Sequence, residues 1–403
     1  MQIKMLPVIL TLTVDVYIVL GVWFCDWRNP PPGSRSIRPP GLRRRISKAV
    51  FPLPAHVRFA RRSWAFFTLT LYNLIMKIND EEIEKIIKTG YGISVSNIIK
   101  LNIGFDQNTS VFKVCSKDNK EYFLKIRCKI FNKASLIIPL RIGNCINTKN
   151  IINAVKTING KLFVKKSLSC FILYPYIYGK SGWDSSLTKD QFMEFGRFMK
   201  NLHLLDLPNE SKKLLPVESY NSKYRSNVKK YLKKINKEVY DSKIINDFFS
   251  ELITKKEVIM KIINTSEEIA EKEKNNLHKM CLCHGDIHAG NILINETDFF
   301  IIDWDTILFS PKEKDLMFIG GGICDKWNTE EEIEYFFAGY GKSADINKNL
   351  LKYFRHERII QDVYEFYHQI INPQTREEER ELCINYFNEQ FEQNNVVDMA
   401  LRT

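Results

Sequence analysis

The sequence predicts an α+β chain. A strand-rich N-terminal part with one helix precedes a mainly helical C-terminal part. Three observations lead there. Between residues 91 and 178, short apolar runs of strand length are separated by turn residues. From residue 188 onward, apolar residues recur at helical spacing in longer segments. Residues 283–305, CHGDIHAGNILINETDFFIIDWD, place two short apolar strands around a polar turn, with acidic and amide side chains at their ends. Strands gathered in one part and helices in the other mark an α+β arrangement.

Length and charge bound the reading. A chain of 403 residues suits more than one domain, and its 44% hydrophobic content is ordinary for a globular protein. The formal charge is +12, but residues 1–75 hold eleven Lys/Arg against two Asp/Glu. The remaining chain is almost balanced, which gives little basis for a nucleic-acid partner. Nine cysteines follow no framework spacing. Cys281-x-Cys283 lacks a second ligand pair at zinc-finger distance, so the thiols read as reduced and the location as cytoplasmic.

Residues 1–75 differ from the rest. They hold nine Arg and two Lys, against nine Arg and 39 Lys afterwards, and eight of the 14 prolines. The preferred expectation is an upstream extension, with translation starting at Met76. The competing one is a membrane anchor at residues 6–25, where Asp15 costs about 2.5–3.5 kcal/mol. Seven positive charges over residues 28–48 would then keep the following chain in the cytoplasm.

From Met76 the elements follow in order. Asn79 or Asp80 caps a helix that puts Ile83, Ile86 and Ile87 on one face. Residues 91–101 are a turn and a strand. Residues 102–114 read strand, loop, strand, and the small polar residues Asn108, Thr109 and Ser110 could hold phosphate oxygens through backbone N–H groups. An ordinary hairpin is the plainer reading. Residues 122–126 are the next strand. Lys125 there has apolar neighbours on both sides, suiting either a snorkelling edge lysine or a phosphate ligand. Residues 161–165 and 170–174 are two further strands. The stretch from Phe171 to Gly179 reads by itself as a buried strand ending at Pro175. Residues 188–205 form an amphipathic helix with Phe192, Phe195, Phe198, Met199 and Leu202 inward. Residues 209–279 are Lys/Glu/Asn-rich with helical apolar spacing, which suits a solvated helical pair as well as a helical insertion. Near the C-terminus one helix carries Glu357, Asp362 and Glu365 among aromatic residues, either a solvated acidic face or a wall for a cationic substrate.

The chemistry lies in residues 283–305. Phosphoryl transfer needs oxygen ligands for Mg²⁺, which Asn291 and Asp303 can supply. It also needs a group that orients the attacking hydroxyl and takes its proton, and Asp286 suits that role. H-x-D-x-x-x-x-N followed by a strand and Asp is the kinase catalytic arrangement. Asp305, two residues past Asp303, could line the cleft. A hairpin whose Asp and Asn only cap turns is the plainer alternative.

In the form H-G-D-I-H-A-G-N … I-I-D-W-D, the motif resembles the aminoglycoside phosphotransferase family. The resemblance runs from Met76 to the last helices. Within that family it is most similar to the spectinomycin 9-phosphotransferases, through Leu173-Tyr174-Pro175, residues 179–184, residues 301–306 and the helix at 353–361. It implies a protein-kinase-like two-lobed fold, with an N-lobe over 76–178 and a C-lobe over 179–403. It implies ATP, or GTP, with Mg²⁺, and a small-molecule antibiotic as acceptor. Lys125 then contacts the α/β-phosphates, Tyr174 and Tyr176 lie at the nucleotide base, and Asp315 ties down the catalytic loop. One departure stands out. Kinases pair the strand lysine with a following Glu, yet no Asp or Glu occurs between Glu121 and Asp184. Two other readings stay open, a same-fold kinase for another small hydroxyl compound (homoserine, choline, a macrolide or a ketosamine) and a nucleotide-binding pseudokinase.

Overall fold

The computed structural model describes residues 78–101, 109–128, 132–235, 240–321, 326–341 and 345–403. The expectations for residues 1–75, the start at Met76 and the phosphate contact at Asn108 lie outside the described residues. No helix among the described residues is long and apolar enough to cross a membrane.

Helix α1 (Asp80–Tyr91) begins where the Asn79 side chain accepts from Glu82 N at 2.9 Å, and three acidic residues in its first turn suit the positive end of the helix dipole. Gly92, at φ 71°, ends it in the left-handed conformation. Ile83, Ile86 and Ile87 are buried against a five-stranded antiparallel sheet. Its strands are β1 (Val95–Leu101), β2 (Thr109–Ser116), β3 (Glu121–Cys128), β4 (Val164–Lys166) and β5 (Ser169–Pro175), in spatial order β1-β2-β3-β5-β4. Between β3 and β4 runs α2 (Ala134–Ile146), where Asn132 Oδ1 accepts from Ala134 N. The register sets Lys125 opposite Val111 on β2 and Ile172 on β5, so the lysine belongs to the middle of the sheet, not to its edge.

One strand differs from expectation. The run 161–165 is strand only from Val164. A turn occupies the preceding residues, with Thr157 N bonded to Lys161 O at 2.7 Å and Gly160 at φ 73°. Local turn hydrogen bonding there outcompetes the apolar pattern.

After β5 the chain crosses to the helical part through β6 (Lys180–Ser181), which pairs with β8 (Ile292–Ile294). Helix α3 (Lys189–Leu204) starts with a capping box between Thr188 and Gln191 and buries Phe192, Phe195, Phe198, Met199 and Leu202. There follow α4 (Asn209–Lys212), α5 (Lys223–Lys234), α6 (Lys243–Thr254) and α7 (Lys256–Glu273). Next come β7 (Cys281–Cys283), β8 (Ile292–Ile294), β9 (Phe299–Ile301) and β10 (Leu308–Ser310). The chain ends in α8 (Glu313–Leu316), α9 (Glu330–Tyr340), α10 (Lys348–Ile371), α11 (Glu377–Glu389) and α12 (Val396–Arg402). Helices α3 and α9 touch backbone to backbone. A Cβ on Gly196 would lie 2.1 Å from Phe336 O, which explains a glycine inside a helix.

Two apolar cores result in the helical part. One joins α3 and α9 to strands β7, β8 and β9, and the other joins α5, α6 and α7 to α10, α11 and α12. The helical insertion thus packs on α10, the helix that closes the far side of the site.

Candidate active site

The β8–β9 hairpin forms as its sequence predicts, with Ile292 opposite Ile301 and Ile294 opposite Phe299. Asn295 makes the turn, accepting from Asp298 N at 2.7 Å and from Thr297 N at 3.1 Å. The hairpin brings its ends together, since Ile302 N donates to Asn291 O at 3.0 Å. Asp303 follows at once, in the left-handed region at φ 59°. A non-glycine residue there stores strain, which is common at functional sites.

The loop before the hairpin is held from outside. Asp315 on α8 accepts from His284 N at 2.9 Å and from Gly285 N at 2.8 Å. Its Oδ2 also meets His203 Nε2, from α3, at 3.1 Å. Burial opposes both charges of this pair. Their mutual attraction outweighs it, so His203 is raised and Asp315 is lowered. Gly285, at φ 87°, passes so close to Thr306 O that a Cβ would lie at 2.4 Å. His284 reaches across the hairpin, its Nε2 donating to Ile302 O at 3.0 Å while Nδ1 accepts from Asp286 N at 3.3 Å. These bonds aim Asp286 and Asp303 into one space.

Asn291 Nδ2 donates to Asp286 O at 2.8 Å. No group among the described residues donates to its Oδ1, which stays available as an oxygen ligand. The Asp286 carboxylate meets Arg358 from α10 through Oδ1, and its Oδ2 lies 3.6 Å from His288 Nε2. Burial opposes charge on Asp286, but Arg358, with His288 and His284, holds its carboxyl well below the usual carboxylate range.

The lysine of β3 has acidic partners after all. Lys125 Nζ lies 3.0 Å from Asp303 Oδ1 and 2.8 Å from Asp305 Oδ2, and Arg127 lies 2.6 Å from the same Asp305 oxygen. Burial opposes the Lys125 charge, but Asp303 and Asp305 outweigh it and raise its pKa. Burial raises the Asp303 carboxyl; it opposes charge on Asp305 as well, but there Lys125, Asp303 and Arg127 outweigh it and hold the carboxyl low. The acidic partners that the N-terminal part lacks come instead from the end of the β8–β9 hairpin. Asp303 and Asp305 concentrate negative charge, and Asp303 and the Asn291 amide oxygen are hard oxygen donors of the kind a divalent cation takes. In this structure Lys125 and Arg127 compensate that charge.

The remaining predicted residues separate. Thr109 and Ser110 open β2, half-buried, opposite Arg127 and Ile126 of β3. Tyr174, next to last in β5, is half-buried, close enough to feel the Asp305 and Asp303 charges, and burial is the main cause of its raised pKa. Tyr176 sits edge-on to Tyr178 at 5.2 Å, under Lys113 at 4.6 Å. On α10 the three carboxylates have different partners. Glu357 pairs with buried Arg225 at 3.2 Å and bonds Ser266, which ties α10 to α5 and α7. Asp362 is buried between Arg358 and Gln390. Only Glu365 is exposed, accepting from Gln361 at 2.8 Å beside the Tyr224–Tyr364 pair.

Sequence reasoning missed Arg127 and Arg358. Arg127 was readable, because in a strand it shares a face with Lys125. Arg358 was readable only as an i, i+4 partner of Asp362, with nothing to show that it reaches Asp286.

Comparison with known proteins agrees with this geometry. The phosphotransferase enzyme family matches residues 117–349. A crystal structure of spectinomycin phosphotransferase APH(9)-Ia with ADP and spectinomycin is 33% identical, covers 81% of this chain and 98% of its own, and superposes with a TM-score of 0.75. The AMP-bound complex of the same enzyme is also 33% identical, covers 81% and 99%, and gives 0.72. Amicoumacin kinase hAmiN, in complex with AMP-PNP, Ca²⁺ and Ami, is 13% identical over 82% of this chain and 99% of its own, with a TM-score of 0.54, a likeness of fold alone. No curated protein matches the chain.

Proposed function

The chain belongs to the phosphotransferase enzyme family, and on that premise we propose that it phosphorylates a hydroxyl of an aminoglycoside-type antibiotic, spectinomycin in the first place, using ATP or GTP with Mg²⁺. The observation that carries this is the meeting of Lys125, from the sheet, with Asp303 and Asp305 beside Asp286 and Asn291. The choice of drug draws support from the 33% identity over nearly the whole length of a spectinomycin phosphotransferase.

In this reading Lys125 holds the α/β-phosphates, and Thr109 and Ser110 flank them at the mouth of β2. Tyr174 and Tyr176 lie at the nucleotide base. Asn291 and Asp303 would hold Mg²⁺, which when bound neutralises phosphate oxygens. Asp286 orients the acceptor hydroxyl and takes its proton. Asp305 retains Lys125 and Arg127 at the cleft. Glu365, the exposed carboxylate of α10, offers a cationic drug a charge beside the aromatic rings of Tyr224 and Tyr364. Catalysis of this kind is mostly positioning and charge neutralisation.

The test is acceptor-dependent ADP formation by residues 76–403, with spectinomycin beside kanamycin, streptomycin and a macrolide. Turnover with spectinomycin alone is expected. Turnover with another compound keeps the chemistry and replaces the drug. Folded protein that turns over none of them sinks the antibiotic reading.

A further inference from the structure

Arg358 lies between two carboxylates. Its Nη1 contacts Asp286 Oδ1, and its Nε lies 2.9 Å from Asp362 Oδ1, a charge contact one helical turn along α10 that is not aligned as a hydrogen bond. Asp362 is held in turn from α11, its Oδ2 accepting from Gln390 Nε2 at 3.1 Å. The guanidinium carbon sits 5.9 Å from the Phe318 ring centroid, and Phe318 meets His288 edge-on at 6.0 Å. The other charged or titratable groups facing Asp286 are His284 and His288 of its own loop, Glu365 of α10 and Tyr224 of α5. Arg358 is the one cation that reaches Asp286 from another element among the described residues. Gln390, Asp362, Arg358 and Asp286 therefore form a continuous polar chain from the C-terminal helices to the catalytic loop.

We propose that Arg358 is a positioning residue, anchored by Asp362, that grips Oδ1 of Asp286 and leaves Oδ2, on the His288 side, to receive the acceptor hydroxyl. The inference rests on Asp286 being the acceptor's base. The acceptor O–H proton passes to Oδ2 as its oxygen bonds to the terminal phosphorus. The bond from that phosphorus to the bridging oxygen breaks, and its electrons leave with the nucleoside diphosphate. Arg358 gives and takes no proton. It fixes the carboxylate so that one oxygen meets the hydroxyl in line, a geometry whose loss by about 1 Å costs about 10²-fold in rate.

The test uses the full chain with Arg358→Met, Arg358→Lys and Asp362→Asn. Arg358→Met should lower kcat about 10²-fold while nucleotide KM stays within about twofold. Added guanidinium ion should restore about tenfold. Arg358→Lys should fall between, because an ammonium replaces the charge but not the two-pronged geometry. Asp362→Asn keeps Arg358 and loosens its anchor, so kcat should fall about tenfold, and it carries the test where Arg358→Met does not fold. Folded Arg358→Met with wild-type kcat, a loss lying wholly in KM, or a loss that guanidinium leaves untouched overturns the proposal. A separate arm needs no acceptor. Thermal shifts of Arg358→Met, Asp286→Asn and the double variant should be non-additive, and additive shifts overturn the proposal whichever compound the enzyme phosphorylates. A failure to phosphorylate any drug, with non-additive shifts, removes the antibiotic reading and leaves the pair standing.

Discussion

The catalytic hairpin and helix α10 both deliver side chains to the space around Asp286, and they do so by opposite routes. In the hairpin, distance along the chain decides. Asn291 and Asp303 meet because β8 and β9 pair in one register and Ile302 N closes on Asn291 O. In α10, rotation decides. Glu357 and Arg358 are neighbours in sequence, yet one binds Arg225 behind the site and the other binds Asp286 within it. Each residue of a helix turns the side chain by about 100°, so the charges reach different surroundings. The lesson is that a hairpin motif can be read from spacing, while a charged helix face can be read only once its neighbours are known.

The largest test of this contrast is Asp286→Ala. It should lower kcat about 10²–10⁴-fold with the circular dichroism spectrum unchanged, measured as ADP formation on the acceptor in use. Undiminished turnover would remove Asp286 from the chemistry. Next is Asp315→Ala, which asks whether the hairpin holds its own loop. Two backbone N–H groups and His203 lose their partner together, so stability should fall by about 3–5 kcal/mol in denaturant unfolding, with activity falling too. Native stability in this variant would show that spacing alone suffices.

A smaller effect is expected behind the site. Glu357→Gln weakens the partner of buried Arg225 and should cost about 1–3 kcal/mol in stability, with kcat unchanged. A drop in kcat at full stability would move Glu357 into the site. The smallest effect is a pH slope. His203 has a folded pKa above its ordinary value of about 6.5. Its pairing therefore stabilises fully below that value and is lost as pH rises through the raised one. Stability should fall across that window by at most about 1.4 kcal/mol per pH unit, and His203→Gln should flatten the slope. Asp315, which is depressed, acts in the opposite sense at acid pH, its contribution disappearing below about pH 4.

Much of the N-terminal sheet was legible, because apolar runs and turn residues act locally. The exception at residues 161–163 shows local turn bonding overriding an apolar run. The hairpin that brings Asn291 and Asp303 together was legible for the same reason. The partner of Lys125 was not. The chain after β3 holds no acidic residue for some sixty positions, and a search confined to that neighbourhood finds none. The partners come from 178 and 180 residues away. The acidic face of α10 was visible as a pattern, but the pattern did not separate Glu365, which is exposed, from Glu357 and Asp362, which hold the scaffold together.

By itself the sequence determined the strands, the capped helices, the hairpin and the chemical types at its ends, since these depend on interactions within a few residues. Only the tertiary structure decided which cation faces which carboxylate. A charge can be compensated by any opposite charge that packing brings within reach, and packing is set by the buried faces of α3, α10 and the sheet, not by the polar residues themselves.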